Sequence, residues 1–228
     1  TLANNPGTPL LFIGDSITDA FDSSDPGGLD VWNAFYSPRN AVNLGIAGDT
    51  TQSVLWRLLN GALDGVSPQA VVLTIGHNNT GSASDIAAGM LAILREIRLA
   101  QPQAKIIFIP HFPATFSYWS TSKRIQAYDM AVAEVQGDSK IIPLDLNADF
   151  LNDDNVLKDP ALIPDNVHPD EGGYQIWASG MEPTLASILG PLPGTLSIDA
   201  EPQDATIASG QITLLTVSAS GSGALSYQ

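Results

Sequence analysis

The sequence predicts an α/β protein built on a parallel sheet with helices on both faces. Five short apolar runs recur along it: Leu10 to Ile13, Ala41 to Leu44, Ala70 to Ile75, Lys105 to Ile109 and Lys140 to Leu144. Val71, Val72 and Ile75, then Ile106, Ile107 and Ile109, are nearly continuous and β-rich, as in strands buried on both faces. Between them Ile86, Met90, Ile93, Leu94 and Ile97 keep a helical period. Strands alternating with helices imply a parallel sheet covered on both sides. Chemistry then collects at the carboxyl ends of the strands.

Each element has a local reason. The first apolar run ends at Gly14-Asp15-Ser16, where Gly14 permits a tight bend that lifts Ser16 above the sheet edge. The second run leads into Gly45-Ile46-Ala47-Gly48-Asp49, and the third into Gly76-His77-Asn78-Asn79. The helix around Met90 takes Ser84 as its expected N-cap, with Asp85 in the first turn. After the fifth run comes Asp165-Asn166-Val167-His168-Pro169, just before a helical stretch that includes Tyr174 and Trp177. Ser16, Gly48 and Asn78 therefore fall on one sheet edge.

Composition bounds the partners. The chain has 228 residues, 44% of them hydrophobic, which suffices for a sizeable core. Its formal charge of −15 would repel a nucleic acid or an anionic membrane surface, and no run is long enough to span a bilayer. A neutral or cationic substrate is the easier partner. With no cysteine there is no disulfide, thiolate metal site or cysteine nucleophile. The chain opens on Thr1 with neither initiator Met nor apolar leader, as in an exported bacterial protein whose signal has been removed or in a trimmed chain.

The character changes near Gly190-Pro191-Leu192-Pro193-Gly194, which reads as a linker. The expected domains are 1–192 and a β-rich tail, 193–228. That tail, rich in Ser, Thr, Gly and Ala and without Lys or Arg, resembles the first strands of a bacterial immunoglobulin-like module, read here as truncated. The other reading is a hairpin packed on the first domain.

Chemistry rests on a few residues. Ser16 needs an adjacent base to become a nucleophile, and the base needs a third group to orient it. Asp165 and His168 are spaced so that a carboxylate on a turn reaches its own imidazole. Each segment has a plainer reading: Asp15-Ser16 as a helix cap, Asn78-Asn79 as a turn, and Asp165 with Asp170 and Glu171 as an acidic helix start. The Ser16 and Gly48 amides and the Asn78 side chain are candidate donors to a developing oxyanion. A dinucleotide site is disfavoured because the segment around Gly48 lacks Gly-x-Gly-x-x-Gly. Asn152-Asp153-Asp154-Asn155 with Asp159 lacks the spacing of a calcium loop, so a solvated acidic turn is expected and no metal or cofactor is assigned.

These blocks, in this order, resemble the SGNH (GDSL) hydrolase superfamily. Trp32 to Phe35, Ser37-Pro38, Gly45-Ile46, Gly48-Asp49-Thr50-Thr51, Val54 to Leu58, Asn60-Gly61, Asn78-Asn79 and Gln101 to Ile107 are similar to the catalytic subunits of platelet-activating-factor acetylhydrolases and more so to their bacterial GDSL relatives. The resemblance runs from about Leu10 to Leu189. It implies a flavodoxin-like three-layer α/β/α fold with a five-stranded parallel sheet. It also implies Ser16 as nucleophile, His168 as base, Asp165 as its orienter, and an oxyanion hole of Ser16, Gly48 and Asn78.

Two departures stand out. The family usually has a small residue where His77 stands, and His77 either lines the pocket or, the favoured reading, packs beside the sheet. The stretch Ile109 to Trp119 also differs from the usual Gly- and Arg-containing segment, and it offers an aromatic wall to a substrate. Asp15, His77, His111, Phe112 and Trp119 are accordingly candidate pocket residues. The expected activity is a serine esterase acting on short-chain, acetyl-type esters of carbohydrate, since a secreted or periplasmic modular protein often works on polysaccharide. The alternatives are a lipid or general carboxylesterase and a non-catalytic binding or adhesion module.

Overall fold

The computed structural model describes residues 7–24, 27–113, 121–152, 156–194, 197–200, 206–211, 213 and 216–220. Five strands form one sheet: β1 (Leu10–Gly14), β2 (Val42–Asn43), β3 (Ala70–Thr74), β4 (Lys105–Phe108) and β5 (Ile141–Pro143). Their spatial order is β2-β1-β3-β4-β5, and every pairing is parallel. The chain steps outward from β1 to β2, then crosses back to β3 and continues the other way. The reversal leaves a crevice between the carboxyl ends of β1 and β3, where open α/β sheets bind ligands. Ser16 follows β1 and Asn78 follows β3.

Side-chain alternation along the strands builds two cores. Leu11 and Ile13 of β1, Val71 and Leu73 of β3, and Ile106 and Phe108 of β4 face one side. There they meet α3 (Thr51–Leu59), α4 (Ala83–Ala100) and α5 (Thr121–Val135). Leu10, Phe12, Ala70, Val72 and Ile107 face the other side. That side is covered by α1 (Ser16–Asp19), α2 (Leu29–Phe35), α6 (Asn147–Phe150) and α7 (Glu171–Leu189). The three-layer α/β/α architecture expected from the sequence is the one observed. The second core is strongly aromatic: Phe21 packs against Trp32, Tyr36, Tyr174 and Trp177 with ring centroids 4.4–5.7 Å apart.

One local expectation is corrected. Ser82, not Ser84, caps α4: its side chain accepts from Asp85 N–H while the Asp85 carboxylate accepts from Ser82 N–H. This reciprocal box requires a three-residue spacing, which Ser82 and Asp85 have and Ser84 lacks.

By its internal contacts the chain falls into two compact units, Thr1–Gly190 and Pro191–Gln228. In the second, β6 (Ser197–Ala200) pairs antiparallel with β7 (Ser218–Ser220). In the first, Arg39 forks onto both carboxylate oxygens of Glu182 at 2.6 and 2.7 Å and reaches Gly190 O, tying the end of α7 to the loop before β2.

Candidate active site

The bend after β1 is tight because Gly14 is sandwiched: a Cβ there would lie 2.0 Å from Thr18 Oγ1 and 2.6 Å from Thr74 O. Asp15 caps α1 by accepting from Ile17 N–H, and Ser16 opens the helix. Ser16 N–H thus belongs to the first turn, where amides lack intrahelical acceptors.

The second arm comes from the loop before α7. Asn166 adopts φ 68°, a left-handed conformation that asparagine tolerates, and the chain doubles back there. Asp165 Oδ1 accepts from Val167 N–H at 2.9 Å and His168 N–H at 2.7 Å. Its Oδ2 lies 2.6 Å from His168 Nδ1, and His168 Nε2 lies 2.8 Å from Ser16 Oγ. Partial burial pushes the Asp165 carboxyl up. Hydrogen bonds from the His168 ring and from the His168 and Val167 amides outweigh that and hold it below its ordinary value. An ionised carboxylate only accepts, so the proton sits on Nδ1 and Nε2 is left to accept from the Ser16 hydroxyl. Such a chain can draw the proton from a serine as it attacks a carbonyl. Asp170 caps α7 through Gly173 N–H, and Tyr174 of that helix donates to Ile17 O at 2.8 Å, which locks the loop against α1.

The third arm is the loop around Gly48. Gly48 is exposed, takes φ 82°, and has nothing within 4 Å of where a Cβ would be. The loop is stitched to the first arm by Ile46 N–H on Gly14 O and Ala47 N–H on the Asp19 carboxylate. Asp49 is gripped by Arg57 Nε and Nη2 at 3.0 and 2.6 Å, and the same guanidinium donates to Leu44 O.

The fourth arm follows β3. The Asn78 amide donates one hydrogen to Asp49 O at 2.9 Å, which leaves its second N–H for another acceptor. Asn78 therefore neighbours the Gly48 peptide. Asn79 is buried behind it: its carbonyl accepts from Thr51 N–H, and its amide donates to Thr51 Oγ1 and Gln52 Oε1. The structure thus gathers Ser16, Asp165, His168, Gly48 and Asn78 from four loops on one edge.

The candidate pocket residues are buried where the structure describes them. Asp15, His77, His111 and Phe112 are at most 2% exposed, so they lie beneath the surface. Phe112 packs on Phe150 and Trp177 in the aromatic core, because the chain after β4 turns down between α6 and α7. His77 and His111 meet edge to face 5.4 Å apart. Burial and the nearby Arg124 charge lower both imidazoles, His77 to about 4, so both are neutral. Burial pushes the Asp15 carboxyl up to about 7, against the pull of the Ile17 amide and of His168. Trp119 lies outside the described residues, as do Asp153, Asp154 and Asn155. Asp159 caps a short 3-10 turn at Ala161 N–H, and no metal-binding cluster occurs among the described residues.

Two cations went unread in the sequence. Arg57 carried a local signal, since it follows a capped helix start and can fold back on Asp49. Arg124 carried none, because its partners lie more than forty residues away.

Known proteins resemble this chain over most of its length. The sequence model of the GDSL-like lipase/acylhydrolase family matches residues 12–176. Platelet-activating factor acetylhydrolase IB subunit alpha2 of Rattus norvegicus is 32% identical over 167 residues, 72% of this chain and 70% of that protein. Subunit alpha1 of Mus musculus is 29% identical over 197 residues, 82% of each. Among solved structures, an acetylxylan esterase from Geobacillus stearothermophilus superposes with a TM-score of 0.58 at 23% identity, covering 80% of this chain and 94% of that one. A GDSL-like lipase from Bacteroides thetaiotaomicron gives 0.60 at 19%, covering 78% and 87%. With a family match over well over half its length, the chain belongs to the GDSL-like lipase/acylhydrolase family and is an ester hydrolase of the SGNH fold.

Proposed function

We propose that Ser16 is the nucleophile, His168 the general base and Asp165 the group that orients it. The observation that carries this reading is the hydrogen-bond chain from Ser16 Oγ through the imidazole to Asp165. Ser16 attacks the ester carbonyl as its proton passes to Nε2. The alcohol leaves with that proton, and His168 then activates water against the acyl-enzyme. The Ser16 and Gly48 amides and the second Asn78 N–H hold the oxyanion, each donor being worth about 3 kcal/mol.

The substrate we infer is a short-chain, acetyl-type ester of a neutral carbohydrate. The −15 charge disfavours polyanionic substrates. The fold is shared with an acetylxylan esterase, and the tail's likeness to an immunoglobulin-like module fits a secreted or periplasmic modular enzyme. A lipid ester is the second reading, favoured by the 32% identity to the acetylhydrolase subunit. Among the described residues no helix is long and apolar enough to cross a membrane.

A substrate panel tests this. The purified chain is assayed on p-nitrophenyl esters from acetate to laurate, on acetylated xylooligosaccharides and on an acetyl ether phospholipid. The expected order puts acetate first among the nitrophenyl esters and the sugar above the phospholipid. A higher kcat/KM on the phospholipid than on the sugar transfers the assignment to the lipid reading.

A further inference from the structure

We propose that Arg124 is a positioning residue for ester hydrolysis: from inside the molecule it fixes the loop that carries Asn78. The inference rests on the reading of Asn78 as an oxyanion donor.

Arg124 lies in the first turns of α5 and is 2% exposed. Its Nε donates to His77 O at 3.0 Å, and its Nη2 donates to the same oxygen and, at 3.5 Å, to Asn79 O. Those two carbonyls bracket Asn78. A planar fork that grips the carbonyls of the two residues flanking Asn78 restrains where its Cα and side chain point.

The rest of the loop closes around that grip. Gly76 takes φ 113°, and a Cβ there would fall 2.9 Å from Ile86 Cγ2, so the loop is pressed onto α4. Asn79 is pinned to the start of α3, and Asn78 itself to Asp49 O. Asp49 is in turn held by Arg57. Asn78 therefore hangs between two arginine-braced anchors with one N–H to spare. Burying a guanidinium is costly unless its hydrogen bonds are made, so its position is sharply determined. A donor aimed at a transition state needs that kind of support, because small displacements forfeit much of its effect.

The test is a double-mutant cycle on the full chain with p-nitrophenyl acetate, using Arg124→Met, Asn78→Ala and the pair, with Arg124→Lys as the conservative variant. Arg124→Met should lower kcat about tenfold to a hundredfold with KM changed less than about threefold, since the lost interaction matters in the transition state. Arg124→Lys should recover part of that loss. In the Asn78→Ala background Arg124→Met should cost less than about threefold more, because the arm it holds is already gone. If the Met variant fails to melt cooperatively, the cycle is run with Lys. Additive losses, or an unchanged kcat in a folded Arg124 variant while Asn78→Ala is impaired, overturn the role of Arg124 alone. An unchanged kcat in Asn78→Ala overturns the oxyanion reading and this inference with it.

Discussion

The half of the site proposed to move the proton lies at the surface, whereas the half proposed to hold negative charge is braced from within. His168 and Asp165 keep 30% and 52% of their side chains exposed, and short-range hydrogen bonds in one loop hold them together. Gly48 and Asn78 depend on Arg57, Asp49, Asn79 and Arg124, which are buried or half-buried and come from two helices and two loops. A relay needs only the right atoms in a row, and a turn can supply them. A donor needs a fixed direction, and only packing supplies that.

The comparison can be broken at the relay first. Ser16→Ala should cost about a ten-thousandfold or more in kcat with the melting temperature little changed, because the covalent route is lost. Turnover within tenfold of the native chain in a folded Ser16→Ala protein would remove the nucleophile from the account. On the braced half, Asn78→Ala should cost about a hundredfold in kcat with little change in KM. A loss confined to KM would make Asn78 a substrate-binding group and not an oxyanion donor.

The third prediction concerns stability. The Asp15 carboxyl, raised from 3.8 to about 7 by burial, keeps its proton in the folded chain at pH values where the unfolded chain has lost it. The folded state then binds more protons, so this group makes stability fall as pH rises from about 4 to about 7. Asp15→Asn, which keeps the cap, should flatten that fall in thermal melts taken across the interval. The lowered Asp165 works the other way, contributing stability above its unfolded value that is lost on acidification, so the readout is the difference between variant and native slopes. Identical slopes would place a charged, solvated Asp15 in the fold.

The smallest effect is expected from cutting after Leu192, beyond the end of α7 and past every residue of the site. Activity should stay within about twofold and the melt should shift by only a few degrees. A large cooperative loss of stability would make the tail part of the first unit's core.

What was legible in the sequence follows the same division. The alternation of Leu10 to Ile13 and of Ala70 to Ile75 between two faces is local, and so is the spacing of Asp165 from His168. The strands and the Asp165–His168 hydrogen bond could both be read directly. Ser84 stands nearer in sequence to Ile86, the first buried residue of α4, but the box with Asp85 points to Ser82 as the cap. The burial of His111 and Phe112 was not legible, since polar or aromatic residues after a strand can turn outward or under with equal local propriety. Arg124 was invisible because its role is set by a helix packing against a distant loop.

The central claim, that Ser16 carries the acyl group under His168 control, is met most directly by trapping. The native chain, Ser16→Ala and His168→Ala are incubated with a fluorophosphonate, and the adduct is located by mass spectrometry of proteolytic peptides. One adduct on Ser16 in the native chain, none in Ser16→Ala and labelling slowed about a hundredfold or more in His168→Ala is the predicted result. Labelling of a different residue, or a rate on Ser16 indifferent to His168, would contradict it.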